Sequence, residues 1–226
     1  MRLLIHVEGQ TEEAFVNEVL EPHLIAIGYE SVSARLLGNA RLRERRGGIK
    51  SWEIVKKEIS NHLKSDNGAV ATIMVDYYAL PMNWPMKEQS QGALHDKKAE
   101  LIENAIGEDL KNNLGGGFNT KRFIPYILMH EFEGLLFSDC SIFASSIGNA
   151  ALREKFLEIS NLFVTPEHIN DSPQTAPSKR VLGLMPTYQK VFHGSIAASE
   201  IGLNKIRSRC PGFDRWLTNL ESGLTE

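Results

Sequence analysis

Residues Leu3-Leu4-Ile5-His6-Val7 form a nearly continuous apolar run, broken at once by Glu8-Gly9-Gln10. A strand with one wet face alternates apolar and polar residues; an unbroken run is the composition of a strand buried on both faces. Such strands belong to parallel sheets covered by helices, and a helical pattern follows directly. Thr11, Glu12 and Glu13 open it, with acids in the first turn where the helix dipole favours them, and Ala14, Phe15, Val19, Leu20 and Leu24 continue it. Pro22 inside that pattern predicts a kink or an early stop.

The alternation repeats along the chain. Ser31 to Leu37 predicts a second strand, and an amphipathic stretch carries Trp52, Ile54, Val55, Ile59 and Leu63. Ala69 to Val75 is another apolar run, ending at Asp76; Pro81, Trp84, Pro85 and Gly92 mark an irregular loop, and Lys97 to Leu110 reads as a helix. Phe123 to Met129 predicts a fourth strand, with Pro125 as an objection because proline cannot donate to a ladder. This is the pattern of an α/β fold: a mostly parallel four-stranded sheet with helices on both faces. After Glu131 no strand is expected, only helices around Leu135 and over Leu152 to Leu162, Arg180 to Gln189 and Leu203 to Leu220. The expected organisation is an α/β domain over residues 1–140 and a helical C-terminal extension over 141–226 packed on it.

Charge narrows the function without naming it. Lys and Arg total 25 against 28 Asp and Glu, a formal charge of −3, so nothing in the overall balance favours nucleic acid, although a local basic patch remains open. Cys140 and Cys210 are too few for a disulfide framework or a thiolate zinc site, which fits a reducing, cytoplasmic setting. No apolar run approaches the roughly 18 residues of a membrane span, and Glu8 stands where a signal peptide keeps its apolar stretch. A soluble protein without a membrane partner is expected.

In an open parallel sheet, ligands bind beyond the carboxyl ends of the strands. Glu8 follows the first strand, Asp76 the third, and Glu131 with Glu133 the fourth. A hard cation such as Mg²⁺ takes oxygen ligands, so acids from separate strand ends suit it; each acid taken singly is equally a solvated turn or a helix cap. Arg41, Arg43, Arg45 and Arg46 beside Gly47-Gly48 suit a phosphate backbone, or form a merely solvated face. His130 is open to acid–base chemistry or to a structural hydrogen bond, and His6 within its strand reads as core. There is no P-loop, no His-Glu-x-x-His and no Gly-x-Ser-x-Gly.

The stretches Leu-Ile-His-Val-Glu8-Gly9-Gln-Thr11-Glu12 and Met-Val-Asp76-Tyr77-Tyr78 resemble the TOPRIM domain of topoisomerases, primases and OLD-type nucleases. More narrowly, those segments with His130-Glu131-Phe-Glu133-Gly-Leu-Leu-Phe and Thr175-Ala-Pro-Ser-Lys179-Arg180 resemble a bacterial family known as domain of unknown function 4276. The resemblance implies phosphodiester hydrolysis of nucleic acid, DNA in the first instance, with Mg²⁺ or Mn²⁺ as cofactor. It implies Glu8 as metal ligand or general base, Asp76 as ligand, Glu12 as a second-site ligand or a plain helix N-terminal acid, and Glu131 and Glu133 as further ligands. Lys179 resembles the late lysine with which OLD-type nucleases steady developing charge, and is otherwise a surface residue; Arg180 beside it joins the arginines as a nucleic-acid contact. A role in bacterial defence or DNA repair, beside an ATPase encoded nearby, is also implied. One departure stands out: the family's Asp-x-Asp pair reads Asp76-Tyr77-Tyr78. A phenol with a pKa of about 10 is a poor Mg²⁺ ligand, so a degenerate module that binds nucleic acid or an ATPase without cutting is the alternative. A phosphatase or nucleotide-processing enzyme using the same acids is the third reading.

Overall fold

The computed structural model of the chain describes residues 1–37, 49–169, 172 and 174–223. Its centre is a four-stranded, all-parallel sheet of β1 (Arg2–Val7), β2 (Ser31–Leu36), β3 (Ala69–Asp76) and β4 (Tyr126–Leu128), in the order β2-β1-β3-β4. Both central strands are buried, as an unbroken apolar run demands. The fourth strand is shorter than predicted: Phe123 makes only an isolated bridge with Ala71, and regular pairing begins after Pro125, which has no N–H to give.

Register sorts the side chains into two cores. Leu3 pairs with Val70 and Val7 with Met74, and these share one face with Tyr126 and Leu128. The alternate residues Ala71, Ile73, Val75 and Ile127 point the other way. On the first face lie α1 (Gln10–Phe15), a π-helical turn over Val16–Leu20 and α2 (Glu21–Ala26). The predicted stop at Pro22 does not occur; the π turn directly ahead of it is where the ladder absorbs the missing donor. On the second face, α3 (Trp52–Ser65) and α5 (His95–Leu114) bury Trp52, Val55, Ile59, Ile102 and Ile106, with the short α4 (Lys87–Ser90) in the loop between β3 and α5.

The second half is helical: α6 (Glu133–Leu136), α7 (Cys140–Ser146), α8 (Arg153–Ser160), α9 (Pro177–Leu184), α10 (Lys190–Ile201), α11 (Leu203–Arg209) and α12 (Pro211–Ser222). The helix expected over Arg180 to Gln189 instead ends at Leu184, before Pro186, and a separate helix starts at Lys190. That helix, α10, hides its pattern because all its buried residues but Ile201 are small: Gly194, Ser195, Ala197 and Ala198, on a helix packed against α1 and α7. These helices share the first core with the sheet. Phe15 meets Phe132 at 5.4 Å and Phe213 at 6.0 Å between ring centroids, and Tyr126 stacks on Trp216 at 4.8 Å. Among the described residues no helix is long and apolar enough to cross a membrane.

One buried acid is structural. Glu167 accepts hydrogen bonds from the backbone N–H of Gly212 (2.8 Å) and Phe213 (2.9 Å), capping α12 from across the fold. A Cβ at Gly212 would lie 2.7 Å from its carboxylate, so glycine is what lets the acid approach. Glu167→Ala leaves these two backbone donors and the Tyr126 hydroxyl without their acceptor and is expected to cost about 2–4 kcal/mol in urea unfolding.

Candidate functional site

Because every strand runs the same way, the residues after β1, β3 and β4 arrive at one edge. Glu8 and Asp76 are in contact there: the backbone N–H of Asp76 donates to Glu8 Oε2 at 3.3 Å. Glu12, one turn into α1, is buried, and Gly9 makes room for it, since a Cβ at that position would lie 3.0 Å from Glu12 Oε2. Glu133 is 1% exposed and accepts from Lys190 Nζ at 3.0 Å. Glu131 Oε2 accepts the backbone N–H of Ser178 at 3.0 Å, tying the first turn of α9 to the same edge.

The acids crowd one another electrostatically. Burial, then the neighbouring Glu12 charge, pushes Glu8 up to about 7, against the opposing pull of the Asp76 N–H and Lys190. Burial and then Glu8 and Glu12 hold Asp76 well above the ordinary aspartate value. Burial raises Glu12 and Glu133 too, with Lys190 opposing both shifts. Desolvation works against the Lys190 ammonium, but Glu133, Glu131 and Asp76 outweigh it and hold its pKa above the usual lysine value. The side chain of Lys190 is 45% exposed, so its stem lies along the solvent boundary while the charged end serves the acids.

Two buried acceptors lack a hydrogen-bond partner among the described residues, Asp76 Oδ1 and Glu133 Oε1. Unpaired carboxylate oxygens beside mutually repelling acids are the donor chemistry of a hard divalent cation. No three of the described His, Cys, Asp and Glu side chains are gathered tightly enough to hold an ion as they stand. Ligation therefore requires these carboxylates to draw together, and Lys190 meanwhile supplies the positive charge.

Where the resemblance implies a second aspartate after Asp76, the chain carries aromatic rings. Tyr77 is buried, its hydroxyl 3.1 Å from Ser90 Oγ, and its carbonyl accepts from Lys87 Nζ at 2.7 Å. Tyr78 stacks on His130 at 5.1 Å. Burial first, then His95 and Lys98, pushes His130 down to about 3, which makes it a neutral packing ring at physiological pH. His6 is likewise buried and pushed down to about 3, a core residue.

Of the acids read from sequence, Glu8, Glu12, Asp76, Glu131 and Glu133 come together. Lys179 does not join them: it is exposed on α9, without an ion-pair partner among the described residues, and only the N–H of its neighbour Ser178 reaches Glu131. Arg180 donates to the Thr175 carbonyl at 2.8 Å and lies 5.3 Å over the Phe163 ring. Arg41, Arg43, Arg45 and Arg46 lie outside the described residues. The cation that sequence reasoning missed is Lys190. Nothing in its local pattern marks it, for it stands in an exposed Gln189-Lys190 pair 57 residues from Glu133.

The family model described as Domain of unknown function (DUF4276) matches residues 7–221. No curated protein and no solved structure matches the chain.

Proposed function

The chain belongs to the DUF4276 family, and on that premise we propose that it is a TOPRIM-like, Mg²⁺- or Mn²⁺-dependent nuclease hydrolysing phosphodiester bonds in nucleic acid. The observation that carries this reading is the meeting of acids from three separate strand ends around one lysine, with Asp76 and Glu8 in direct contact. Residues Glu8, Asp76 and Glu133, together with Glu12 and Glu131, would hold the cation. When bound, such an ion polarises a phosphoryl oxygen and makes a nearby water more acidic.

The chain's own residues do the rest. Where Glu8 is not itself a ligand of the cation, it is the candidate to accept a proton from the attacking water, since burial and then Glu12 raise its proton affinity. As the water oxygen bonds to phosphorus, the bond to the leaving oxygen breaks and negative charge grows on the phosphoryl oxygens. Lys190 is placed to steady that charge, in the role that the resemblance assigned to Lys179. The arginines at 41, 43, 45 and 46 are proposed to hold the polynucleotide backbone. Neutralising two of them is expected to weaken DNA binding and lower the slope of affinity against salt by about 2.

A second reading, a module that binds nucleic acid or a partner ATPase without cutting, is favoured by the absence of three gathered ligands among the described residues and by Tyr78 in place of the second aspartate. Incubating the protein with plasmid DNA, RNA and a nucleotide panel, with Mg²⁺, Mn²⁺ or EDTA, decides among these. Metal-dependent cleavage of polynucleotide supports the nuclease, release of phosphate from nucleotides alone supports a phosphatase, and inertness toward all of them supports the binding module. A role in bacterial defence or repair beside an ATPase, in the cytoplasm, belongs to the same proposal.

A further inference from the structure

Tyr188 is 5% exposed, and its hydroxyl has no hydrogen-bond partner among the described residues. Buried hydroxyls are normally paired, because leaving one unpaired costs free energy that an apolar side chain would not. Phenylalanine at this position would fill the same space, so an unpaired hydroxyl calls for a ligand.

Three segments meet where that hydroxyl lies. A Cβ at Gly194 would be 3.2 Å from the Tyr188 hydroxyl, 3.1 Å from Thr11 Cγ2 and 3.8 Å from Phe132 Cε1. Thr11 precedes Glu12, and Phe132 separates Glu131 from Glu133. The hydroxyl therefore lies against α10 near Thr11 and Phe132, the chain neighbours of Glu12, Glu131 and Glu133, and belongs to a residue two positions before Lys190. It also feels them: burial and then Glu133 and Glu131 raise its pKa, so it remains a donor at any physiological pH. The ring is fixed, stacked on His193 at 5.5 Å and edge-on to Phe143 at 6.4 Å. Glu133 Oε1 is a buried acceptor that likewise has no partner among the described residues and does not bond to Tyr188. An orphan donor and an orphan acceptor in one site, both held away from each other, match a ligand that carries acceptor oxygens and arrives with a cation.

We propose that the Tyr188 hydroxyl donates a hydrogen bond to a phosphoryl oxygen of the substrate, forming with Lys190 the donor groups of the site beside Glu131 and Glu133. This rests on the phosphodiesterase reading for its substrate, but the donor role itself is testable with inorganic phosphate alone.

The test compares wild type with Tyr188→Phe by thermal unfolding and by titration calorimetry, using Mg²⁺ alone and then inorganic phosphate in the presence of Mg²⁺. The expected result has three parts: the ligand-free variant melts at or above the wild-type temperature, Mg²⁺ affinity changes by less than about twofold, and phosphate affinity falls about tenfold, the loss typical of a hydrogen bond to a charged acceptor. A clear drop in the melting temperature of the ligand-free variant would mean that the hydroxyl is satisfied by a structural water, and overturns the proposal. So does phosphate affinity that is equal in the two proteins, or phosphate that fails to bind the wild type. Should wild type and its variant differ in phosphate binding while neither cuts DNA, the nuclease reading falls and the role of Tyr188 stands.

Discussion

Glu8→Gln and Asp76→Asn are each expected to lower metal-dependent cleavage by at least about 10²–10³-fold, the scale on which losing one charge-stabilising group acts, while making the metal-free protein more stable. The two halves of this result have one cause. Burial and mutual repulsion raise the proton affinity of both acids, so their ionised forms are held in the fold at a cost. An uncharged amide of the same shape removes the repulsion along with the function. The sign of the pH dependence follows. An acid whose folded pKa lies above its unfolded value contributes most stability below the unfolded pKa and loses it as pH rises toward the folded one. For Glu8 that window runs from about 4.5 to about 7. Metal-free wild type should thus lose stability across it, at up to about 1.4 kcal/mol per pH unit for one proton. Urea unfolding from pH 4.5 to 8 in EDTA checks this: Glu8→Gln should flatten the slope, and Mg²⁺ should oppose the loss in wild type only. A wild-type protein whose stability is level over that range, and a variant that still cuts, would remove the acidic site from the chemistry.

Lys190→Met is expected to abolish turnover as well, but with the opposite effect on stability. Glu133 is almost wholly buried and Lys190 is its ion-pair partner at 3.0 Å, so removing the ammonium leaves an uncompensated buried charge. Breaking a fully buried pair costs about 3–5 kcal/mol; because Lys190 is partly in solvent, about 1–3 kcal/mol is the expected cost here. That cost should be larger at pH 8 than at pH 5, because burial raises the proton affinity of Glu133 and loss of the Lys190 charge raises it further. Lys179→Met, by contrast, should leave stability unchanged at both pH values, since Lys179 is exposed and no described acid pairs with it. Thermal melts of the two variants at pH 5 and 8, with cleavage assays on the same preparations, separate the two lysines. Should Lys179→Met alone lose activity, the charge-steadying role returns to the residue that the sequence resemblance points to.

What could be read in the chain without coordinates is what local chemistry decides. An apolar run such as Leu3 to Val7 has one stable use, a strand buried on both faces, and a series of such runs separated by helical patterns makes a parallel sheet. Parallel strands end at one edge, so the gathering of Glu8, Asp76, Glu131 and Glu133 follows from their positions at the last residue of a strand or a few residues past it. Boundaries were less legible: Pro125 delays β4, and Pro22 is absorbed by a π turn that no periodicity announces. The helix α10 was missed altogether, because small buried residues leave hardly any contrast between its faces. That omission concealed the cation. Whether Lys179 or Lys190 meets the acids depends on how α9 and α10 dock against α1 and the segment after β4, and a contact between residues 57 apart leaves no mark on the local sequence. The acids were fixed by strand direction, a property of short segments; their counter-charge and the unpaired Tyr188 hydroxyl were fixed by helix packing, which only the folded chain decides.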